Sequence, residues 1–205
     1  GASAGIALAD GAHPAEPGDL LRDADVAMYQ AKQHGRGRVE IFDDQLRASL
    51  QHRVDTRAEL RHGIGAGEIQ VHYQPIATIR SGQVIGFEAL ARWEHPVRGL
   101  LGAAEFIPMA EECGLILPLG AEVLRQACRQ GARWRREHPD LHISVNVSAA
   151  QFSDPQFPDL LVAVLDETLL DPDALWLEIT ENTLMSDAAA TRLTLDRVRA
   201  TGVHL

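Results

Sequence analysis

The sequence predicts an α/β fold in which parallel strands alternate with helices, and three observations carry that prediction. First, the segments 83–92, 142–148 and 174–181 each alternate their side chains at period two, as a strand with two different faces does. Second, each carries an oxygen-bearing side chain within its apolar run: Glu88, Asn146 and Glu178. Third, these residues stand 58 and 32 residues apart, room for a helix between each pair, and such a βαβαβ rhythm implies parallel strands. Side chains at the carboxyl ends of parallel barrel strands converge on one pocket, so the three oxygens are expected to meet.

Taken in order, 3–8 reads as a short strand and 11–18, with Pro14 and Pro17, as a loop. An amphipathic helix follows over 19–32, where Leu20, Leu21, Ala24, Ala27, Met28 and Ala31 recur at three- and four-residue steps. Asp19 is placed to cap it and Gly35 to stop it. A strand over 38–42 completes a first unit, residues 1–44. A connecting helix is expected over 43–65, on a narrow stripe of Leu46, Leu50, Val54 and Leu60. Its part 45–58 is the link, and a second domain occupies 59–205.

That domain opens with a strand over 68–76. In the next, Val84, Gly86, Glu88, Leu90 and Arg92 share one face, and Ile85, Phe87, Ala89 and Ala91 the other. Its acid and its base therefore point the same way, and a charge in such a run is costly unless paired or metal-bound. Segment 105–113 opens one helix. Another is expected over 120–137, with Val123, Leu124, Ala127, Cys128 and Trp134 as its buried stripe. Trp93, Trp134, Trp176, Met109, Met185 and both cysteines read as core or near-core, and His95 as structural. Residues 202–205 begin what reads as a fifth barrel strand.

Forty-five per cent hydrophobic residues is ordinary for a globular protein. No apolar run approaches the ~18 residues of a membrane helix. Residues 1–5 lack the basic start and apolar core of a signal peptide. The two cysteines, Cys113 and Cys128, suggest no disulfide framework, and a cytoplasmic location is expected. A net charge of −10 argues against DNA or RNA as a partner, although an anionic nucleotide remains compatible if cations mask the carboxylates. Oxygen-only ligands suit Mg²⁺ or Mn²⁺ rather than zinc or copper.

Six motifs then stand in a telling order: Tyr73-Gln74-Pro75; Gly86-Phe87-Glu88-Ala89-Leu90-Ala91-Arg92-Trp93; His95-Pro96 with Gly99; Phe106-Ile107-Pro108-Met109-Ala110-Glu111; Ser144-Val145-Asn146-Val147-Ser148; and Glu178-Ile179-Thr180-Glu181. In these, residues 59–205 resemble the first part of an EAL domain, the cyclic di-GMP phosphodiesterase module. The resemblance implies an incomplete TIM-like (β/α) barrel, because a whole one needs ~250 residues. It implies Glu88, Asn146 and Glu178 as ligands of Mg²⁺ or Mn²⁺, with Glu88 and Glu181 in catalysis, Glu181 by anchoring a loop beside the metals. Gln74 and Arg92 would contact cyclic di-GMP, Arg92 also orienting Glu88. Read as residues alone, alternatives stay open: an ion pair of Glu88 with Arg92, a turn or cap at Asn146, a helix-start acid at Glu181, a surface strand end at Gln74. The family usually has a proline shortly before Phe106. Leu101-Gly102-Ala103 stands there instead and is expected to loosen a loop.

Residues 1–44 resemble the C-terminal end of a GGDEF diguanylate cyclase domain. The resemblance rests on Ser3-Ala4-Gly5-Ile6-Ala7, on Asp23-Ala24-Asp25 through Tyr29-Gln30-Ala31-Lys32, and on Gly35-Arg36-Gly37-Arg38. It implies Lys32 and Arg36 as vestigial contacts to a GTP triphosphate. Their spacing of four expects one helix face, and the alternative is a solvated charge pair at a helix end. The implied function is that of a fragment of a bacterial-type signalling protein. Its parent would hydrolyse cyclic di-GMP to linear pGpG by two-metal phosphodiester hydrolysis, as a homodimer through this domain. A non-catalytic cyclic di-GMP receptor and a bifunctional cyclase–phosphodiesterase are the alternatives. The family's Asp-Asp-Phe-Gly motif would follow Leu205, so this segment alone is expected to be inactive.

Overall fold

A computed structural model of the chain describes residues 1–9, 16–33, 35–180 and 188–205, the side chains of 49–55 and 188–190 excepted. It divides into two units, Gly1–Ala58 and Glu59–Leu205.

In the first unit, β1 (Ala4–Ala7) and β2 (Val39–Phe42) pair in parallel, and α1 (Pro17–Gln33) lies between them in the chain. Gly5 is a packing requirement, since a Cβ there would fall 2.0 Å from the Ala24 carbonyl oxygen of α1. The helix starts two residues before the expected cap. Pro17, whose fixed φ and missing N–H suit a first helical position, opens it. Asp19 therefore sits inside the first turn and accepts from Arg22 at 2.6 Å instead of capping. Of the expected loop over 11–18, residues 11–15 lie outside the described residues. The next helix, α2 (Asp44–Ala66), is capped by Asp43, whose Oδ1 accepts the Leu46 N–H at 2.7 Å.

The second unit runs β3 (Ile69–Ala77), β4 (Val84–His95), β5 (Gly99–Gly102), α3 (Ala103–Glu112), α4 (Ile116–Arg135), β6 (His142–Asn146), α5 (Ala149–Phe152), α6 (Phe157–Thr168), β7 (Leu175–Glu178) and α7 (Ala188–Ala200). Its sheet has the order β3-β4-β6-β7, with β5 also on β4. The pairs β4–β6 and β6–β7 are parallel, as the βαβαβ rhythm predicts. Beyond β7 the Leu177 N–H donates to the His204 carbonyl at 2.8 Å and the His204 N–H to that of Leu175 at 2.9 Å, a further parallel bridge.

The strand expected over 68–76 forms as β3 (Ile69–Ala77) and runs antiparallel to β4. The connection 78–83 is too short for a crossover. The segment at 101–103 is no loosened loop. Leu101 and Gly102 end β5, hydrogen-bonded to β4, and the Glu105 carboxylate accepts the Gly102 N–H at 2.8 Å at the start of α3. Helix α4 also begins four residues early, with Pro118 in its first turn, where a proline is tolerated.

The alternation sorts the sheet into two faces. Ala89, Trp93, Ile143, Val145, Leu175 and Leu177 are buried in one core with Leu124, Ala127, Leu161 and Val164 of α4 and α6. Burying such a side chain contributes about 1.5–3 kcal/mol. Cys128 belongs to this core, and burial pushes its thiol up to about 12, so it stays protonated and inert. Both cysteines are free. Trp93 is fully buried and Trp134 half-buried, the latter against Tyr73 and Phe87. Trp176, expected in the core, is 44% exposed. Register puts it on the other face, stacked between His142 (4.6 Å) and His204 (5.1 Å). Gly86 leaves room for that stack, because a Cβ there would lie 2.5 Å from the His142 ring. Burial and the neighbouring His204 hold His142 below its ordinary value, against a hydrogen bond with the Ile85 backbone. His95 is structural as expected: its Nδ1 accepts from the Val97 and Arg98 N–H groups and its Nε2 meets Glu59 at 3.1 Å.

Helix α4 crosses the buried Gln151 at Gly120, where an added Cβ would meet the Gln151 amide nitrogen at 1.9 Å. Gln151 cannot swing away freely, being locked in a reciprocal cap with Ser148. Helix propensity alone would make Gly120→Ala stabilising by about 1 kcal/mol. The clash is expected to outweigh it and to cost about 1–3 kcal/mol. A urea titration decides: the midpoint should fall, and a rise would show that the contact yields.

Candidate functional site

Glu88, Asn146 and Glu178 come together on three neighbouring parallel strands. Glu88 lies within β4, in register with Gln74 of β3 on one side and Ser144 of β6 on the other. Asn146 ends β6 and Glu178 ends β7, and these two are register partners. Register partners in a sheet project from the same face, so Gln74, Glu88, Ser144, Asn146 and Glu178 share one face, opposite the apolar core. Glu88 is half-buried, while Asn146, Glu178 and Gln74 are exposed.

Hydrogen bonds fix the orientation of both acids. Asn146 Nδ2 donates to Glu88 Oε1 at 2.8 Å. Only the amide nitrogen can donate to a carboxylate, so this bond turns Oδ1 away from Glu88. Ser144 Oγ donates to Glu178 Oε1. Among the described residues the second oxygen of each carboxylate has no hydrogen bond and neither acid has an ion pair. Both are thus anchored at one oxygen and open at the other.

The expected contact of Arg92 with Glu88 is not made. Four residues along a strand span about 13 Å, so sharing a face does not bring the two together. Arg92 instead donates from Nη1 to the Ala91 carbonyl at 2.8 Å. Glu181 and Met185 lie outside the described residues. In the first unit Lys32 and Arg36 do not share a helix face: α1 ends at Gln33, and Arg36 stands beyond it in a left-handed conformation, φ +59°.

A cleft of about 500 Å³ adjoins the carboxyl ends of the strands, with Asn146, Ser148 and Glu178 on one wall and Ile107, Leu119 and Leu90 among its apolar lining. A second cleft, about 590 Å³, lies around Phe87, Glu137 and His138. The first borders the candidate site, since Asn146 and Glu178 line it, while Glu88, Gln74 and Arg92 are not among its lining residues. Among the described residues no three His, Cys, Asp or Glu side chains cluster as a metal centre. The candidate ligands are two carboxylates and one amide, all oxygen donors once the amide is fixed, and these fit a hard cation. The Ser144 contact was not expected, although its period-two spacing from Asn146 could have placed it on this face.

Residues 57–205 match the EAL domain family, and the chain belongs to that family. It is 40% identical over 205 residues to the bifunctional diguanylate cyclase/cyclic di-GMP phosphodiesterase MucR of Pseudomonas aeruginosa, covering 100% of this chain and 30% of that one. It is 37% identical over 185 residues to the cyclic di-GMP phosphodiesterase PdeR of Escherichia coli, covering 90% and 28%. Among solved structures it resembles the PaMucR phosphodiesterase in its c-di-GMP complex, at TM-score 0.68 and 41% identity, covering 71% of this chain and 60% of that one. The fold is thus the EAL-type α/β fold. The chain spans less than a third of the length of these curated relatives. No helix among the described residues is long and apolar enough to cross a membrane.

Proposed function

We propose that residues 59–205 are the first part of a cyclic di-GMP phosphodiesterase domain whose barrel is completed by residues after Leu205 in a longer protein. That protein hydrolyses one phosphodiester of cyclic di-GMP to give linear pGpG. The observation that carries this reading is the oriented pair Glu88–Asn146 beside Glu178 on adjacent parallel strands. The likeness to MucR and PdeR over nearly all of the chain supports it.

Glu88, Asn146 and Glu178 would hold Mg²⁺ or Mn²⁺ through oxygen. A divalent cation bound there supplies charge stabilisation at the phosphoryl oxygens and an acidified water. The chain's own residues do the rest. The Asn146 amide holds Glu88 in one orientation. Arg92, tied to the Ala91 carbonyl by one N–H, keeps further guanidinium donors for a substrate phosphate. Gln74, next to Glu88 in register, offers its amide to the substrate. Glu181, outside the described residues, keeps the role beside the cations that the family resemblance implies, and the cleft brings an apolar wall up to Asn146 and Glu178. The full-length protein is proposed to pair as a homodimer through this domain.

Residues 1–44 are read as the C-terminal end of a GGDEF domain, with Lys32 and Arg36 as remnants of its GTP-phosphate contacts, and 45–58 as the helical link. A bifunctional cyclase–phosphodiesterase is the second reading. It is favoured because the likeness to MucR, named for both activities, extends over 100% of this chain.

The test is incubation of the full-length protein with cyclic di-GMP and Mn²⁺. Linear pGpG should form, stop on chelation and resume when Mn²⁺ is returned. Tight binding without product would make the domain a receptor, and neither binding nor product would overturn the reading.

A further inference from the structure

We infer that Ser144 is a positioning residue for the proposed cation site, holding the Glu178 carboxylate for metal capture. The inference rests on the assignment of Glu178 as a ligand. Ser144 is 1% exposed, yet it is a polar residue in the middle strand of the site. A buried hydroxyl is costly unless hydrogen-bonded, and its one partner among the described residues is Glu178 Oε1. Glu178 itself is exposed, at the end of the four-residue strand β7. An exposed glutamate on a strand end is otherwise free to rotate, so order must come from an anchored neighbour. Register explains why Ser144 can provide it. It lies two residues before Asn146 on the same face of β6, beside Glu88 on β4, with β7 on its other side.

The two acids are thereby treated alike. A neutral donor from β6 ties down one oxygen of each, Asn146 for Glu88 and Ser144 for Glu178, and the other oxygen stays open for a cation. Neutral donors leave the negative charge on the carboxylates, where a cation needs it. Outer-shell donors of this kind typically change metal affinity about 10–100-fold.

The experiment is a Mn²⁺ titration of the full-length protein without substrate, free Mn²⁺ being read by electron paramagnetic resonance. Ser144→Ala should weaken Mn²⁺ binding about 10–100-fold with the metal-free unfolding midpoint unchanged. The pair Ser144→Thr and Ser144→Val, equal in shape and different only in the hydroxyl, covers the case of an unstable alanine variant. Threonine should retain the affinity and valine lose it. Wild-type affinity in Ser144→Ala, or equal affinity in the Thr and Val variants, overturns the inference. Glu178→Gln separates the two levels. If it weakens Mn²⁺ binding while Ser144→Ala does not, only the role of Ser144 falls. If neither does, the ligand assignment falls with it.

Discussion

Replacing Glu88 with alanine in the full-length protein is expected to lower cyclic di-GMP turnover about a thousandfold while leaving the fold intact. A cation stabilises transition-state charge by several kcal/mol, and each ~1.36 kcal/mol is a factor of ten in rate. Losing a ligand forfeits most of that. The fold should tolerate the change because Glu88 contributes a hydrogen bond to the exposed Asn146 and no ion pair among the described residues, so its removal buries no orphan charge. Turnover and urea midpoint measured together decide the matter. A rate near wild type would remove Glu88 from the site, and a large fall in the midpoint would make it structural.

The largest effect on stability is expected on the other face of the same strand. Trp93 is 0% exposed, packs edge-on against Phe106 at 5.9 Å and against His95 at 4.8 Å, and lies beneath the Arg98 guanidinium at 5.5 Å. Its Nε1 donates to Glu68 at 2.9 Å. Trp93→Ala should cost about 3–5 kcal/mol, a large part of the ~5–15 kcal/mol that holds a domain together. Trp93→Phe keeps the ring and loses the hydrogen bond, so it should cost roughly 1–3 kcal/mol. Equal losses in the two variants would mean that the hydrogen bond, and not the packed ring, holds this corner.

The contrast between Glu88 and Trp93 shows what the sequence makes legible. Period two on β4, β6 and β7 separates an apolar face from a polar one, and burial follows that division at Ala89, Ile143, Val145, Leu175 and Leu177. The parallel order of these strands was readable from the spacing of Glu88, Asn146 and Glu178. What was not readable depends on how the strands pair. The direction of β3 is set by the short link 78–83, and β5 is four residues whose only mark is its pairing with β4. Trp176 was misplaced because a tryptophan suggests core, whereas register with Ser144 and His204 decides its face. Arg92 shares the face of Glu88 but not its height, a separation that four residues of strand already imply. Ser144 was visible as a polar strand residue. Its bond to Glu178 emerges only when β7 is known to lie beside β6.

Glu88, Asn146 and Glu178 are proposed as the oxygen ligands of one divalent cation in a cyclic di-GMP site. The most direct measurement is a crystal structure of the full-length protein with cyclic di-GMP and Mg²⁺. Mg²⁺ should lie at about 2.0–2.1 Å from an oxygen of each of the three residues, beside a substrate phosphate. A cation ligated elsewhere, or cyclic di-GMP seated away from these residues, would contradict it.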